Sequence, residues 1–107
     1  MKEIETEDEF RAAIEQCLAE MPAIYARHPD KRAVLEELEL ELDIMRRRTA
    51  DGQIPTEAER DRIKIQWETK HHFPFSSVPT ATYRFMERLR DIAYCYRNWE
   101  EVRPSPR

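Results

Sequence analysis

The stretch AVLEELELELDIMRRR, residues 33–48, decides the fold because it fits two different periods. Between Leu38 and Leu42, leucine and glutamate alternate, as they do on a half-buried strand. At about 100° per residue, however, five apolar side chains fall within a single arc of roughly 100°, which is the stripe of a helix packed on a core. They are Val34, Leu35, Leu38, Leu42 and Met45. We therefore predict a helix, and attribute the apparent alternation to a second apolar strip on its opposite side.

The composition of the chain also favours helices. It has 107 residues, of which 37% are charged and one is glycine. Straight-chain side chains such as Glu, Leu and Arg lose little rotamer freedom in a helix. The length is that of one domain, and short connections between helices favour antiparallel neighbours. We predict a single all-α domain over residues 1–107, folded as a four-helix antiparallel bundle.

The four helices are predicted at about residues 7–27, 30–48, 57–71 and 80–100, followed by a frayed tail at 103–107. Two capping boxes mark helix starts, because in each a Thr is followed three positions later by a Glu. They are Thr6 with Glu9, and Thr56 with Glu59.

Prolines interrupt the chain at two places. Pro22 removes one backbone hydrogen bond from the first helix and predicts a kink or a break there. Two prolines and two serines in HFPFSSVPT, residues 72–80, favour an extended connection. We expect Phe73 and Phe75 to pin this connection to the core.

Charge and hydropathy exclude several classes of protein. A net charge of −4 argues against a general affinity for nucleic acid. No apolar run is long enough to span a bilayer, and the acidic start MKEIETEDEF differs from a secretion signal, so we expect a cytoplasmic protein without membrane contact. Cys17 and Cys95 are isolated, and in a reducing compartment they are expected to be core thiols.

A catalytic or metal site is not expected. Glu68 and His71 have the spacing of a carboxylate-bridged metal motif, but such sites need a second copy of the motif, which the chain lacks. His71 and His72 point about 100° apart on a helix and cannot both bind one ion. We predict no catalytic residue, metal or cofactor, and no enzymatic activity.

The second apolar strip of residues 33–48 is the main candidate for a binding surface. If that helix is central in the bundle, the strip is simply core; otherwise an aliphatic strip bordered by carboxylates suits a basic partner. The following turn and the outer face of the last helix add further candidates, although each also suits a plain solvated surface. The candidate residues are Glu36, Glu37, Leu40, Asp43, Ile44, Asp51, Tyr83, Arg90 and Tyr94.

The order of these features resembles a family of small helical immunity proteins, which neutralise type VI secretion effectors that act as NAD(P)+ glycohydrolases. The matching pieces are YARHPDK (25–31), a long helix of leucines and acids, a polar turn, ERDRIKI (59–65) and LRDIAYCY (89–96). Together they lie within about residues 10–96, while QWETKHHFPF (66–75) departs from the pattern.

The resemblance implies a stoichiometric inhibitor that covers the active site of a cognate toxin domain; a homodimer is compatible with it. The departure at residues 66–75 leaves the toxin's identity open. The alternative is a helical adaptor or transcription-associated module, in which arginines 46–48, 60 and 62 would contact nucleic acid rather than form ion pairs.

Overall fold

The computed structural model describes residues 4–74 and 78–104, and it confirms the all-α prediction. The helices form a four-helix bundle whose third member is divided in two. Their bounds are α1 Glu7–Arg27, α2 Arg32–Arg48, α3 Glu57–Asp61, α4 Ile65–His72 and α5 Thr80–Arg97. Helix α1 packs against α2 and α5, and α4 packs against the same two helices. Helices α2 and α5 therefore stand at opposite corners of the bundle.

The stretch that fits two periods is helical, as predicted. Leu35, Leu38, Leu42 and Met45 are fully buried on one side of α2, and Val34 is half-buried beside them. A three-residue 3-10 turn, Pro29–Lys31, precedes α2, so the helix begins two residues later than predicted.

Helix α1 begins at the predicted capping box and runs without a break. The Thr6 hydroxyl accepts from the Glu9 backbone N–H at 3.2 Å, and the Glu9 carboxylate accepts from the Thr6 N–H at 3.1 Å. Pro22 lies inside the helix, which continues to Arg27. Of the predicted kink or break, the break therefore does not occur. The side chain of Pro22 faces solvent, where water can hydrogen-bond to the carbonyl that Pro22 leaves without an N–H partner.

The third predicted helix, 57–71, is instead two helices with a break at residues 62–64. In one continuous helix Ile63 and Ile65 would point about 200° apart, so they could not both face the core. The break brings both to the interior, with Ile63 9% exposed and Ile65 fully buried. Burial of two isoleucines thus accompanies the loss of helix continuity.

The end of the chain is tied down rather than frayed at Arg103. After α5 a 3-10 turn, Trp99–Glu101, leads to a backbone pairing with the start of the chain. The Arg103 N–H donates to Glu5 O, and the Glu7 N–H donates to Arg103 O, each at 2.9 Å. Residues 105–107 lie outside the described residues.

Phe73 is buried, as predicted for the connection between the third and fourth bundle members, whereas Phe75 lies outside the described residues. In the described part of the chain, no helix combines the length and the hydropathy that crossing a bilayer requires.

Candidate functional site

The second apolar strip of α2 lies at the protein surface. Leu40 is 55% exposed, Ala33 is exposed, and Ile44 is half-buried, whereas Leu38, two positions from Leu40, is fully buried. The α2 strip, as we call Ala33, Leu40 and Ile44, is therefore not part of the core. This removes the first of the two alternatives that the sequence left open.

The carboxylates that border the α2 strip are less free than the sequence indicates. Glu36 forms an ion pair with Arg32 at 3.6 Å, and Asp43 forms one with Arg46 at 2.6 Å. Asp43 also pairs with Arg47 at 3.1 Å. Of the three bordering acids, only Glu37 has no ion pair within residues 4–74 and 78–104.

The turn after α2 carries an exposed apolar side chain. Asp51 and Gly52 both have positive φ, 54° and 77°, in the left-handed region that glycine adopts freely and aspartate tolerates. Ile54 then points into solvent with 73% of its surface exposed, while Pro55 is buried. Asp51 is exposed, as a binding role requires.

The predicted residues on α5 lie apart from those on α2. The Arg90 guanidinium stands 5.9 Å from the centre of the Tyr83 ring, and the Tyr94 hydroxyl donates to Glu101 at 3.3 Å. Because α2 and α5 occupy opposite corners of the bundle, the structure does not bring the predicted residues together on one face. They form two separate surfaces.

A further aromatic residue on α4 was not among the candidates. Trp67 is 56% exposed and stacks on His71, with 4.0 Å between ring centroids and 22° between ring planes. His71 Nδ1 also lies 2.9 Å from the Trp67 carbonyl oxygen. In a continuous helix Trp67 would share a face with buried Ile63; the break at 62–64 is what turns it to solvent.

Glu41 joins α2 to the start of α4. Its carboxylate accepts hydrogen bonds from the backbone N–H groups of Lys64 at 2.9 Å and Ile65 at 3.1 Å. Burial raises the pKa of this carboxyl, although the two hydrogen bonds oppose the shift. After the end of α4, the Phe73 ring meets His28 with 5.4 Å between centroids, next to the start of α2. Helix α4 therefore runs antiparallel to α2.

The Glu68 and His71 spacing does not assemble a metal site. His72, rather than His71, lies 3.4 Å from the Glu68 carboxylate, while His71 is turned towards Trp67. Across residues 4–74 and 78–104, no cluster of three or more potential ligands occurs.

Two shallow hollows line the surface, and their charged groups have structural partners. The larger, about 200 Å³, lies between α1 and α5 and is lined in part by Glu9 and Arg88. Glu9 caps α1, and Arg88 pairs with Glu20 across the bundle. The smaller, about 180 Å³, lies beside Tyr94 and Arg103.

The Cys17 thiol, close to Arg88 and Glu20, is not a nucleophile at neutral pH. Burial raises its pKa to about 12, far from the range that a nucleophilic thiol needs.

Four of the five arginines of the nucleic-acid alternative, 46–48 and 60, are engaged with carboxylates. Arg46 pairs with Glu15 at 3.0 Å, in addition to Asp43. Arg48 pairs with Glu59 and Arg60 with Glu100, both at 2.7 Å. These pairs reduce the positive charge that a phosphate backbone would meet.

No family model, curated protein or solved structure matches this chain. The resemblance to immunity proteins therefore stays a prediction that rests on the sequence pattern.

Proposed function

We propose that this protein is an immunity protein: a non-catalytic inhibitor that binds a toxin domain and covers its active site. The observation that carries the proposal is the exposure of Leu40, at 55%, on the side of α2 opposite the buried stripe. A leucine in this position contributes nothing to the core, but it can be buried by a partner.

A single exposed leucine is common on protein surfaces and needs no explanation. Here Leu40 belongs to the α2 strip, and exposed Trp67 stands on the neighbouring antiparallel helix α4. Exposed apolar surface is typical of interaction sites, and tryptophan is enriched among the residues that dominate binding energy.

The charge around the α2 strip suggests the character of the partner. Glu37 has no ion pair within the described residues, and Asp51 is exposed in the adjoining turn. Carboxylates at the edge of an interface speed encounter with a basic partner and fix its orientation. The resemblance suggests an NAD(P)+ glycohydrolase as that partner, with the inhibitor resident in the cytoplasm.

The absence of catalysis in this proposal is supported by the roles of the charged groups. The carboxylates of Glu9 and Glu41 are engaged with helix N-termini, and Arg88 is paired with Glu20. A catalytic site needs a nucleophile or a base that converges with other polar groups on an open position.

The test starts from the reading frame next to the gene of this protein. Its C-terminal domain is expressed alone and together with this protein, and growth and the affinity of the two purified proteins are measured. We expect protection, and we expect Glu37→Lys combined with Leu40→Asp to weaken binding by about a hundredfold or more. The matched control is Glu87→Lys with Arg84→Asp on the exposed side of α5, which should leave binding unchanged.

Two results would overturn the proposal. One is a neighbouring domain that is not toxic or does not bind. The other is a salt-dependent shift of labelled DNA by this protein at physiological ionic strength, which would support the adaptor alternative instead. If both double variants bind equally well, the inhibitor role stands but its assignment to α2 is wrong.

A further inference from the structure

We infer that the outer faces of α2 and α4 together form a self-complementary surface through which two copies of this protein associate as a twofold dimer. The inference does not depend on the toxin proposal, because it concerns the protein without any other partner. Helices α2 and α4 carry the same arrangement of charges around an apolar side chain, but the charges are negative on α2 and positive on α4.

Each helix presents an apolar side chain flanked, three residues away on either side, by two charges of one sign. The two triplets are Glu37, Leu40 and Asp43 on α2, and Lys64, just before α4, with Trp67 and Lys70 on α4. Residues three apart lie on the same side of a helix. Each triplet is thus a short row with a large apolar group at its centre, negative on α2 and positive on α4.

The hydrogen bonds of Glu41 bring the two rows to the same height in the bundle. Glu41 meets the backbone of Ile65, and the helices are antiparallel, so height can be counted at about 1.5 Å per residue from this point. Leu40 and Trp67 then differ by about 1.5 Å along the axis, so the two side chains lie at nearly the same height. Glu37 and Lys70 differ by about 1.5 Å on the same count.

A twofold axis parallel to the helices, at the surface between α2 and α4, makes the pattern complementary. It places α2 of one copy over α4 of the other at the same height, and the reverse contact follows by symmetry. Leu40 then faces the Trp67 of the second copy, and Glu37 faces its Lys70. Both contacts occur twice, so each Glu37 meets a Lys70 of the other copy.

The charges of Glu37 and Lys70 and the indole ring of Trp67 suit such an interface. Glu37 and Lys70 have no ion pairs within the described residues, so neither must give up a partner on association. The stack of Trp67 on His71 holds the indole in one orientation, which lowers the entropy lost on docking. Asp43 is already paired with Arg46, and it contributes less.

The proposal also explains how apolar side chains can be exposed in the single chain. A second copy covers Leu40 and Trp67 when no other partner is bound. Since Leu40 is also the centre of the surface proposed to bind a toxin, a toxin would have to displace the second copy.

The experiment measures the mass of the purified protein by sedimentation equilibrium over micromolar to near-millimolar concentrations. We expect the mass to rise from the 12.9 kDa of one chain towards twice that value, and to fall again at high salt. Trp67→Ala should weaken the dimer by about tenfold or more. Glu87→Lys on α5 is the control and should leave the dimer unchanged.

A charge exchange makes the test specific to the proposed pairing. Glu37→Lys alone and Lys70→Glu alone should each be monomeric, because each brings two pairs of like charges together. A mixture of the two variants should form a heterodimer, since every contact then again joins a Lys to a Glu.

A monomer at all concentrations overturns the inference, and so do charge variants that dimerise like the native protein. Binding of a labelled single-stranded oligonucleotide to the monomer, lost in Trp67→Ala, would assign the α4 row to nucleic acid and would equally overturn it. None of these results depends on the toxin, so failure here is distinct from failure of the proposed function.

Discussion

The carboxylate of Glu41 on α2 accepts a hydrogen bond from the backbone N–H of Ile65, the first residue of α4. Lys64 precedes that helix and provides no side-chain cap of its own. The first N–H groups of a helix need partners, and the dipole of the helix favours a negative charge at that end. The Glu41 side chain, from a neighbouring helix, therefore caps α4 in place of a local residue. It also sets the position along α2 beside which α4 begins.

We predict that Glu41→Ala lowers the free energy of unfolding by about 1–2 kcal/mol, which is typical of a lost N-cap. Urea denaturation followed by circular dichroism measures this change. Glu37→Ala, on the exposed side of the same helix, is the control and should change the free energy by no more than about 0.5 kcal/mol. Equal losses in the two variants would show that Glu41 acts through helix propensity alone.

The pH dependence of stability offers a second test at Glu41. Burial raises the pKa of this carboxyl in the folded protein, so between its unfolded and folded pKa values the folded state holds more protons than the unfolded state. The contribution of Glu41 to stability is therefore complete below the unfolded pKa and declines as the pH rises through the folded pKa.

The Glu41→Gln variant has no titrating group at position 41. Comparing it with the native protein therefore isolates the pH-dependent contribution of Glu41 to stability. We expect the native protein to gain stability relative to Glu41→Gln as the pH falls from neutral to about 4. Denaturant titrations of both proteins at a series of pH values measure the difference. A relative loss of stability at acidic pH would mean that the two hydrogen bonds outweigh burial.

The features that the sequence predicts correctly depend on neighbouring residues. The buried stripe of α2 follows from the spacing of Leu35, Leu38 and Leu42, and the start of α1 follows from Thr6 and Glu9. Periodicity and capping act within one or two turns, so one segment contains all the information they need.

The features that it misses depend on distant residues. The break at 62–64 is stabilised by Glu41, which lies 24 residues before Ile65. A continuous helix would place Trp67 on the same face as buried Ile63. Leu40 could have been core or surface, because that depends on which helices pack around α2. The ring of neighbours leaves the outer side of α2 uncovered, and no local pattern specifies this arrangement.

The two faces of α2 predict opposite results for two similar substitutions. Leu38 is fully buried, so Leu38→Ala should lower the free energy of unfolding by about 2–5 kcal/mol through lost burial and a cavity. Leu40 is 55% exposed, so Leu40→Ala should change it by no more than about 0.5 kcal/mol. Thermal and urea unfolding, at concentrations where the protein is monomeric, measure both. A large loss for Leu40→Ala would place that side chain in the core instead.

The thiol of Cys17 provides a test of how tightly α1 packs on α5. Its side chain is fully buried, and burial raises its pKa to about 12, although Arg88 nearby acts in the opposite direction. Since the thiolate is the reactive form, we expect no alkylation by iodoacetamide in the folded protein at mildly alkaline pH. In urea both Cys17 and Cys95 should react at the rate of a free thiol.

A comparison of variants shows whether Cys17 is alkylated after global unfolding or after local opening, independently of the pKa of its thiol. If Cys17 reacts only after global unfolding, Leu38→Ala should accelerate its alkylation by the same factor by which it raises the unfolding constant, because labelling follows the population of the open state. Mass spectrometry of the labelled peptides measures both cysteines separately. An acceleration much smaller than that factor would reveal local opening of α1, and with it a weaker contact between Arg88 and Glu20 than the ion pair in the structure implies.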